Sequence, residues 1–260
     1  MMLDTVQYIL GLLSGSLVGF TLGLVGGGGS ILAVPLMVYL VGVQSPHVAI
    51  GTSALAVAAN AATGLANHAR ADTVKWRCGL MYAGAGVIGA FFGSTAGKAF
   101  DGQKLLFLFA IVMIVVGILM LRRRKHEGEA GAQCDRSNAG KVLGAGLGTG
   151  GFSGFFGIGG GFLIVPGLIA STGMPMINAV GTSLVAVTAF GLTTAANYAF
   201  SGLVDWLLAG VFIAGGVIGS FAGTRAAKRL SSSGQLTNIF AVLIFVVAAY
   251  MLWKSAGAAF

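Results

Sequence analysis

Charge is what this chain has least of. Only 8% of its 260 residues are Asp, Glu, Lys or Arg, against roughly 25% in a soluble domain. A water-soluble protein of this size cannot cover its surface with so few charges, so the soluble classes are excluded. Carboxylates are scarcer still. Asp4, Asp72, Asp101 and Asp205 all fall at the ends of apolar runs or in loops. Proton- and sodium-driven pumps usually bury such groups, so their shortage favours downhill transport. No nucleophile–base pair and no carboxylate pair lies in the apolar runs, which argues against an intramembrane enzyme and leaves no catalytic residue to name. The chain has two cysteines, Cys78 and Cys134, both next to basic loops. Such loops face the reducing cytosol, and no disulfide is expected. No metal-ligand spacing and no cofactor motif occurs.

What is present is apolar. Hydrophobic residues make up 56% of the chain, its mean hydropathy is +0.92, and 44 residues are glycine. Several runs reach or approach the roughly 20 residues that cross a bilayer. The reading is an all-α polytopic membrane protein whose first partner is the lipid bilayer. The net charge of +8 would suggest nucleic acid in a soluble chain. Here the positive residues sit in loops, where the positive-inside bias accounts for them, and no nucleic-acid partner is expected. The N-terminus lacks the positive region of a signal peptide and is read as the first membrane segment.

Shifted by 130 residues, the chain overlays itself. Between Ala49–Lys98 and Ala179–Lys228 there are 21 identities in 50 positions without a gap, among them Gly51-Thr-Ser53 with Gly181-Thr-Ser183, Asn67 with Asn197 and Trp76 with Trp206. The chain is a tandem duplication: residues 1–121 form one transmembrane repeat, 122–141 a polar linker, and 142–260 the second repeat. Each repeat has a glycine-broken first segment (Thr5–Val43, Val142–Thr172) and three spanning helices (His47–Ala69, Trp76–Ala96 and Leu105–Leu121; Ile177–Phe200, Trp206–Ala226 and Gln235–Trp253). That makes eight to ten helical segments in all. If the broken segment enters and leaves on one side, the second repeat is inverted and 12 of 15 Lys/Arg are cytosolic; a single crossing gives 10 of 15. The positive-inside rule prefers the inverted repeat, with the linker in the cytoplasm.

The broken segments hold Gly26-Gly-Gly-Gly-Ser-Ile-Leu-Ala-Val-Pro35 and Gly157-Ile-Gly-Gly-Gly-Phe-Leu-Ile-Val-Pro166. Glycine and proline both weaken a helix, and lipid cannot satisfy the backbone groups they free. Paired broken helices at matching places are the best sequence pointer to a carrier's substrate site. A helix starting at Ser30 or Phe162 would aim backbone N–H groups and a positive dipole end at an anion. The expected substrate contacts are therefore Gly28, Gly29, Ser30, Gly159, Gly160 and Gly161. Hydroxyls of Thr52, Ser53, Thr182 and Ser183, or amides of Asn67 and Asn197, would add donors. Small-residue packing and back-bonding of hydroxyls to their own helix are the competing roles. His68 is the sole titratable group near the presumed cavity, and Arg70 belongs to a basic rim with Lys75 and Arg77, so these two are the candidate proton or anion relay.

Together these features resemble the TauE/SafE family of sulfite and organosulfonate exporters, also called the TSUP family. The residues that carry the likeness are Gly26–Pro35, Ala49–Ser53 and Asn67–Trp76, with their second copies at Gly157–Pro166, Ala179–Ser183 and Asn197–Trp206. The resemblance implies a carrier in a bacterial plasma membrane whose partner is a small anion such as sulfite, sulfoacetate or a related sulfonate. It implies two repeats around a central site; rocking of one half against the other is the motion expected to give alternating access, and a homodimer is compatible with it. The alternatives are proton-coupled uptake of sulfate, thiosulfate or another small anion, and an anion channel.

Overall fold

A computed structural model describes residues 4–122, 134–157, 161–231, 242 and 245–253. Described elements are α1 (Thr5–Val25), α2 (Ala33–Pro35), α3 (Pro46–Ala69), α4 (Trp76–Lys98), α5 (Gly102–Arg122), α6 (Ala139–Phe156), α7 (Gly161–Thr172), α8 (Met176–Ala199) and α9 (Trp206–Ser231). There is no strand among the described residues. Among the described residues, five helices are long and apolar enough to cross a membrane: α1, α3, α4, α8 and α9. Gly159, Gly160 and the first part of the expected helix Gln235–Trp253 (235–241, 243 and 244) lie outside the described residues.

Local chemistry sets the helix ends. Asp4 caps α1, while the Gln7 side chain reaches back to the Asp4 amide at 2.8 Å, a capping box. Ser45 caps α3, and Pro46 occupies its first turn, where a missing N–H costs nothing. Between α1 and α3 the chain winds as a 3-10 helix over Gly26–Leu32, passes through α2, and opens into a π turn over Leu36–Leu40. The wide turn directly follows Pro35, whose ring clashes with the preceding carbonyl in a regular helix. Gln7 Nε2 donates to Val41 O at 2.9 Å. The broken segment therefore returns to the end of the molecule where α1 began, and the chain goes up and comes back before α3 starts.

The two copies are interlocked. α1 runs parallel to α9, with Gly15 against Phe212, Gly19 against Gly216 and Gly23 against Ser220. In the same way α6 runs parallel to α4, with Gly146 against Tyr82, Gly150 against Gly86 and Gly154 against Ala90. A Cβ at Gly19 would collide with the Gly216 carbonyl, and one at Gly150 with the Gly86 carbonyl. Small residues at these crossings let backbones touch, the usual source of helix cohesion in lipid. α3 and α8 run antiparallel, since Gly191 lies beside Ala54 and Ala58 while Gly64 lies beside Leu184. Every one of these contacts joins one repeat to the other. Rocking of one half against the other, the motion expected from the sequence, would have to break these contacts between the repeats.

A correction concerns the cysteines. Cys78 and Cys134 are joined in a disulfide, with Cα atoms 5.2 Å apart. Parallel packing of α4 and α6 places both helix starts at one end, which brings the two thiols together across 56 residues of sequence.

Candidate functional site

At the centre of the bundle the two glycine blocks meet. Gly27 packs backbone to backbone against Gly161, leaving no room for a Cβ on either. Gly26 and Gly157 adopt positive φ (64° and 66°), the left-handed region open to glycine. Gly26 then rests on Val180 and Ser183 of α8, and Gly157 on Ile50 of α3. Each break thus abuts the Gly-Thr-Ser turn of the other copy. Ser183 Oγ accepts the Gly27 N–H at 3.0 Å and donates to Val180 O at 2.8 Å. Ser30 Oγ donates to Gly27 O at 2.8 Å, and Ser53 Oγ to Ile50 O at 3.0 Å.

The block containing Gly28 and Gly29 is itself wound into the 3-10 helix, so no fresh helix starts at Ser30. α7 starts at Gly161, one residue ahead of Phe162. In this conformation Ser30, Ser53 and Ser183 are fully buried.

The threonines do something else. Thr52 Oγ1 accepts the Asp205 N–H at 2.9 Å, and Thr182 Oγ1 accepts the Lys75 N–H at 2.9 Å. The two bonds are the same bond exchanged between copies, since Thr52 matches Thr182 and Lys75 matches Asp205 under the 130-residue shift. Each ties the start of a helix in one repeat to the Gly-Thr-Ser turn of the other. They lie about 20 Å apart along the α3–α8 pair, at 1.5 Å per residue.

The asparagines are not gathered with the glycine blocks. Asn197 is held at the end of α4, where Lys98 Nζ donates to its Oδ1 at 2.7 Å and its Nδ2 donates to Ser94 Oγ at 2.6 Å. Asn67 is near the other end of the bundle, roughly 24 Å away by the same helical rise. His68 is fully buried, with Nε2 3.0 Å from Gly23 O and Nδ1 2.9 Å from Thr73 Oγ1. Arg70 is exposed. It shares its end of the molecule with Lys75 and Arg77, which help line a cavity of about 250 Å³ over the Cys78–Cys134 bridge. Just beyond the bridge, the Ser137 hydroxyl, its amide and other neighbours hold the exposed Asp135 carboxyl below its usual pKa.

Several buried polar atoms have no protein partner among the described residues: Ser14 Oγ, both amide atoms of Asn60, Asn67 Nδ2, Ser153 Oγ and Thr194 Oγ1. Of these residues, only Asn67 belongs to the set expected from sequence. The signal for the others was their polarity inside apolar runs, which the repeat alignment hides because most have no polar counterpart. No group of three or more His, Cys, Asp or Glu that could hold a metal occurs among the described residues.

Comparison with known proteins agrees with the fold. The family model described as sulfite exporter TauE/SafE matches residues 11–251. A "Probable membrane transporter protein" of Xylella fastidiosa (strain Temecula1) is 51% identical over 249 residues, covering 93% of this chain and 94% of that protein. The "Probable membrane transporter protein YunE" of Bacillus subtilis is 27% identical over 267 residues, 95% of this chain and 96% of that one. A "Probable membrane transporter protein MJ0441" of Methanocaldococcus jannaschii is 28% identical over 177 residues, 65% of each. No solved structure matches.

Proposed function

The chain belongs to the TauE/SafE family of membrane transporters, and from that premise we propose that it exports small sulfur-containing oxyanions, sulfite or organosulfonates, across a bacterial plasma membrane by alternating access. The observation that carries this reading is the meeting of the two broken helices at Gly27 and Gly161. When they part, the backbone N–H groups of Gly27 and Gly161 and the Ser30 and Ser183 hydroxyls face the gap. Such neutral donors suit an oxyanion, and no Asp, Glu, Lys or Arg is buried among the described residues to replace or repel it. The bodies that move are helix pairs drawn from both repeats, α1 with α9 and α4 with α6, sliding against α3 and α8. Antiparallel α3 and α8 and the exchanged threonine ties support inverted repeats. An interior-negative membrane drives an anion outward with roughly 2.3 kcal/mol per charge per 100 mV, so export needs no coupling ion.

The basic residues Arg70, Lys75, Arg77, Arg136 and Lys141 share one end of the bundle, which the positive-inside bias assigns to the cytoplasm along with the linker; there the Cys78–Cys134 pair would be kept reduced in the cell and close once the protein is isolated without reductant. The test is efflux from proteoliposomes loaded with sulfite, sulfoacetate, sulfate or lactate under an imposed potential. Sulfite or sulfoacetate efflux that rises with outward driving force supports the reading. Efflux of lactate alone would overturn the sulfur assignment. A second reading, proton-coupled uptake, is favoured by His68. Its Nε2 faces a carbonyl and its Nδ1 a hydroxyl that also donates to His68 O at 3.0 Å. Rotation of the Thr73 hydroxyl would let the ring keep both of its contacts in either protonation state, the bond to His68 O being given up when the hydroxyl turns to donate to Nδ1. Acid-driven uptake abolished in His68→Gln would establish it.

A further inference from the structure

We propose that Asn60 is a substrate-contacting residue of the transport pathway, reached when the α1–α9 pair draws away from α3, and that its ligand is a small oxyanion. The choice of ligand rests on the function proposed above; the placement of the residue does not.

Ser53, Asn60 and Asn67 recur at seven-residue intervals on α3. Seven residues are close to two turns, so the three side chains share one face of the helix. Asn60 lies deep in that row, about 21 Å along the axis from Pro46 and about 14 Å from Ala69. It is fully buried, and neither its Nδ2 nor its Oδ1 has a protein partner among the described residues. A buried amide is normally hydrogen-bonded, and one left with neither donor nor acceptor satisfied calls for a reason. Its side chain lies directly on Gly216 of α9, and Gly216 in turn lies on Gly19 of α1. Ser14 of α1, about 8 Å along the axis from Gly19, is also buried with an unpartnered hydroxyl.

The duplication supplies the control. The equivalents of Asn60 and Gly216 in the other copy are Phe190 and Gly86, and the Phe190 ring lies directly on Gly86. One scaffold thus accepts a phenyl ring in one copy and an amide in the other. Packing does not require the amide, and the fold gains nothing from its unmade bonds. A residue costly to the closed state and unnecessary to the scaffold is explained by a state in which a ligand reaches it. Nδ2 offers N–H donors to the oxygens of an anion without a buried cation, whose desolvation would be far more costly. Oδ1 accepts from an oxyanion that carries one proton, so such a species satisfies the whole amide.

The test pairs two measurements. Asn60→Leu keeps the shape of the side chain and removes its polarity, and Asn60→Phe copies the second repeat. Both are expected to fold, with the Tm of Asn60→Leu at or above that of wild type, and both to lose sulfite and sulfoacetate efflux by roughly 10- to 100-fold. Wild-type efflux in Asn60→Leu, or a lowered Tm, would overturn the proposal, since the amide would then be idle or structural. The second measurement does not depend on the natural substrate. In a Cys78→Ser/Cys134→Ser background, Asn60→Cys is treated in vesicles with sulfonatoethyl methanethiosulfonate, with Leu22→Cys as a fully buried control. Labelling of Asn60→Cys well above the control places it on a water-accessible path; labelling no faster than the control would overturn the proposal. If labelling succeeds while the wild-type protein moves neither sulfur anion, the sulfur reading fails and the site stands.

Discussion

Replacing Thr52 or Thr182 by valine keeps the side chain's shape and removes one acceptor oxygen. In the structure that oxygen receives a backbone N–H, from Asp205 in one case and Lys75 in the other, each at 2.9 Å. Valine leaves a half-buried amide unpaired at a helix start, which costs about 1–3 kcal/mol. At about 3 °C per kcal/mol, each variant should melt roughly 3–9 °C below wild type. The two sites are about 20 Å apart, so the double variant should show the sum of the two effects. Thermal unfolding followed by tryptophan fluorescence reads this, with anion efflux measured on the same preparations. If Thr52→Val and Thr182→Val melt like wild type and yet abolish efflux, the threonines contact substrate and the tie between copies is incidental. Unequal losses would instead show that the exchanged bonds, though alike in geometry, are not alike in energy.

Gly19→Ala and Gly150→Ala drive a methyl group into a facing carbonyl and should each cost about 3 kcal/mol or more, visible as loss of monodisperse protein in size-exclusion chromatography. Gly84→Ala meets nothing within 4 Å and should gain up to about 1 kcal/mol of helix propensity, read as a raised Tm. Protein purified without reductant should give no maleimide-reactive thiol. Cys134→Ser should free Cys78 for alkylation and lower stability by about 2–4 kcal/mol. Asp72 holds a positive φ of 52° where the second copy has Gly202 at 69°. Asp72→Gly should therefore be neutral or mildly stabilising, whereas Asp72→Val should cost about 1–2 kcal/mol, both measured by thermal shift.

The sequence by itself determined the environment, the duplication and the place of the breaks. Composition is enough for the first, because lipid tolerates only residues that hide their polarity. The 130-residue self-match is enough for the second. Gly26–Pro35 and Gly157–Pro166 mark the third, because glycine and proline act on the backbone wherever they stand. Helix ends at Pro46, Trp76 and Trp206 follow from local signals and fall within a residue of where the sequence places them. What each polar residue touches was decided only in three dimensions. Thr52 and Thr182 match in sequence with Gly-Thr-Ser neighbours, yet antiparallel packing sends them to opposite ends of the bundle. Asn67 and Asn197 match as well and part in the same way. Cys78 and Cys134 met because α4 and α6 run parallel, a fact that no local pattern contains. Asn60 could not be read from the repeat because the repeat puts Phe190 in its place. Sequence periodicity fixes which face of a helix a residue occupies, whereas which helix lies on that face depends on contacts between residues far apart in the chain, and here those contacts run between the two copies.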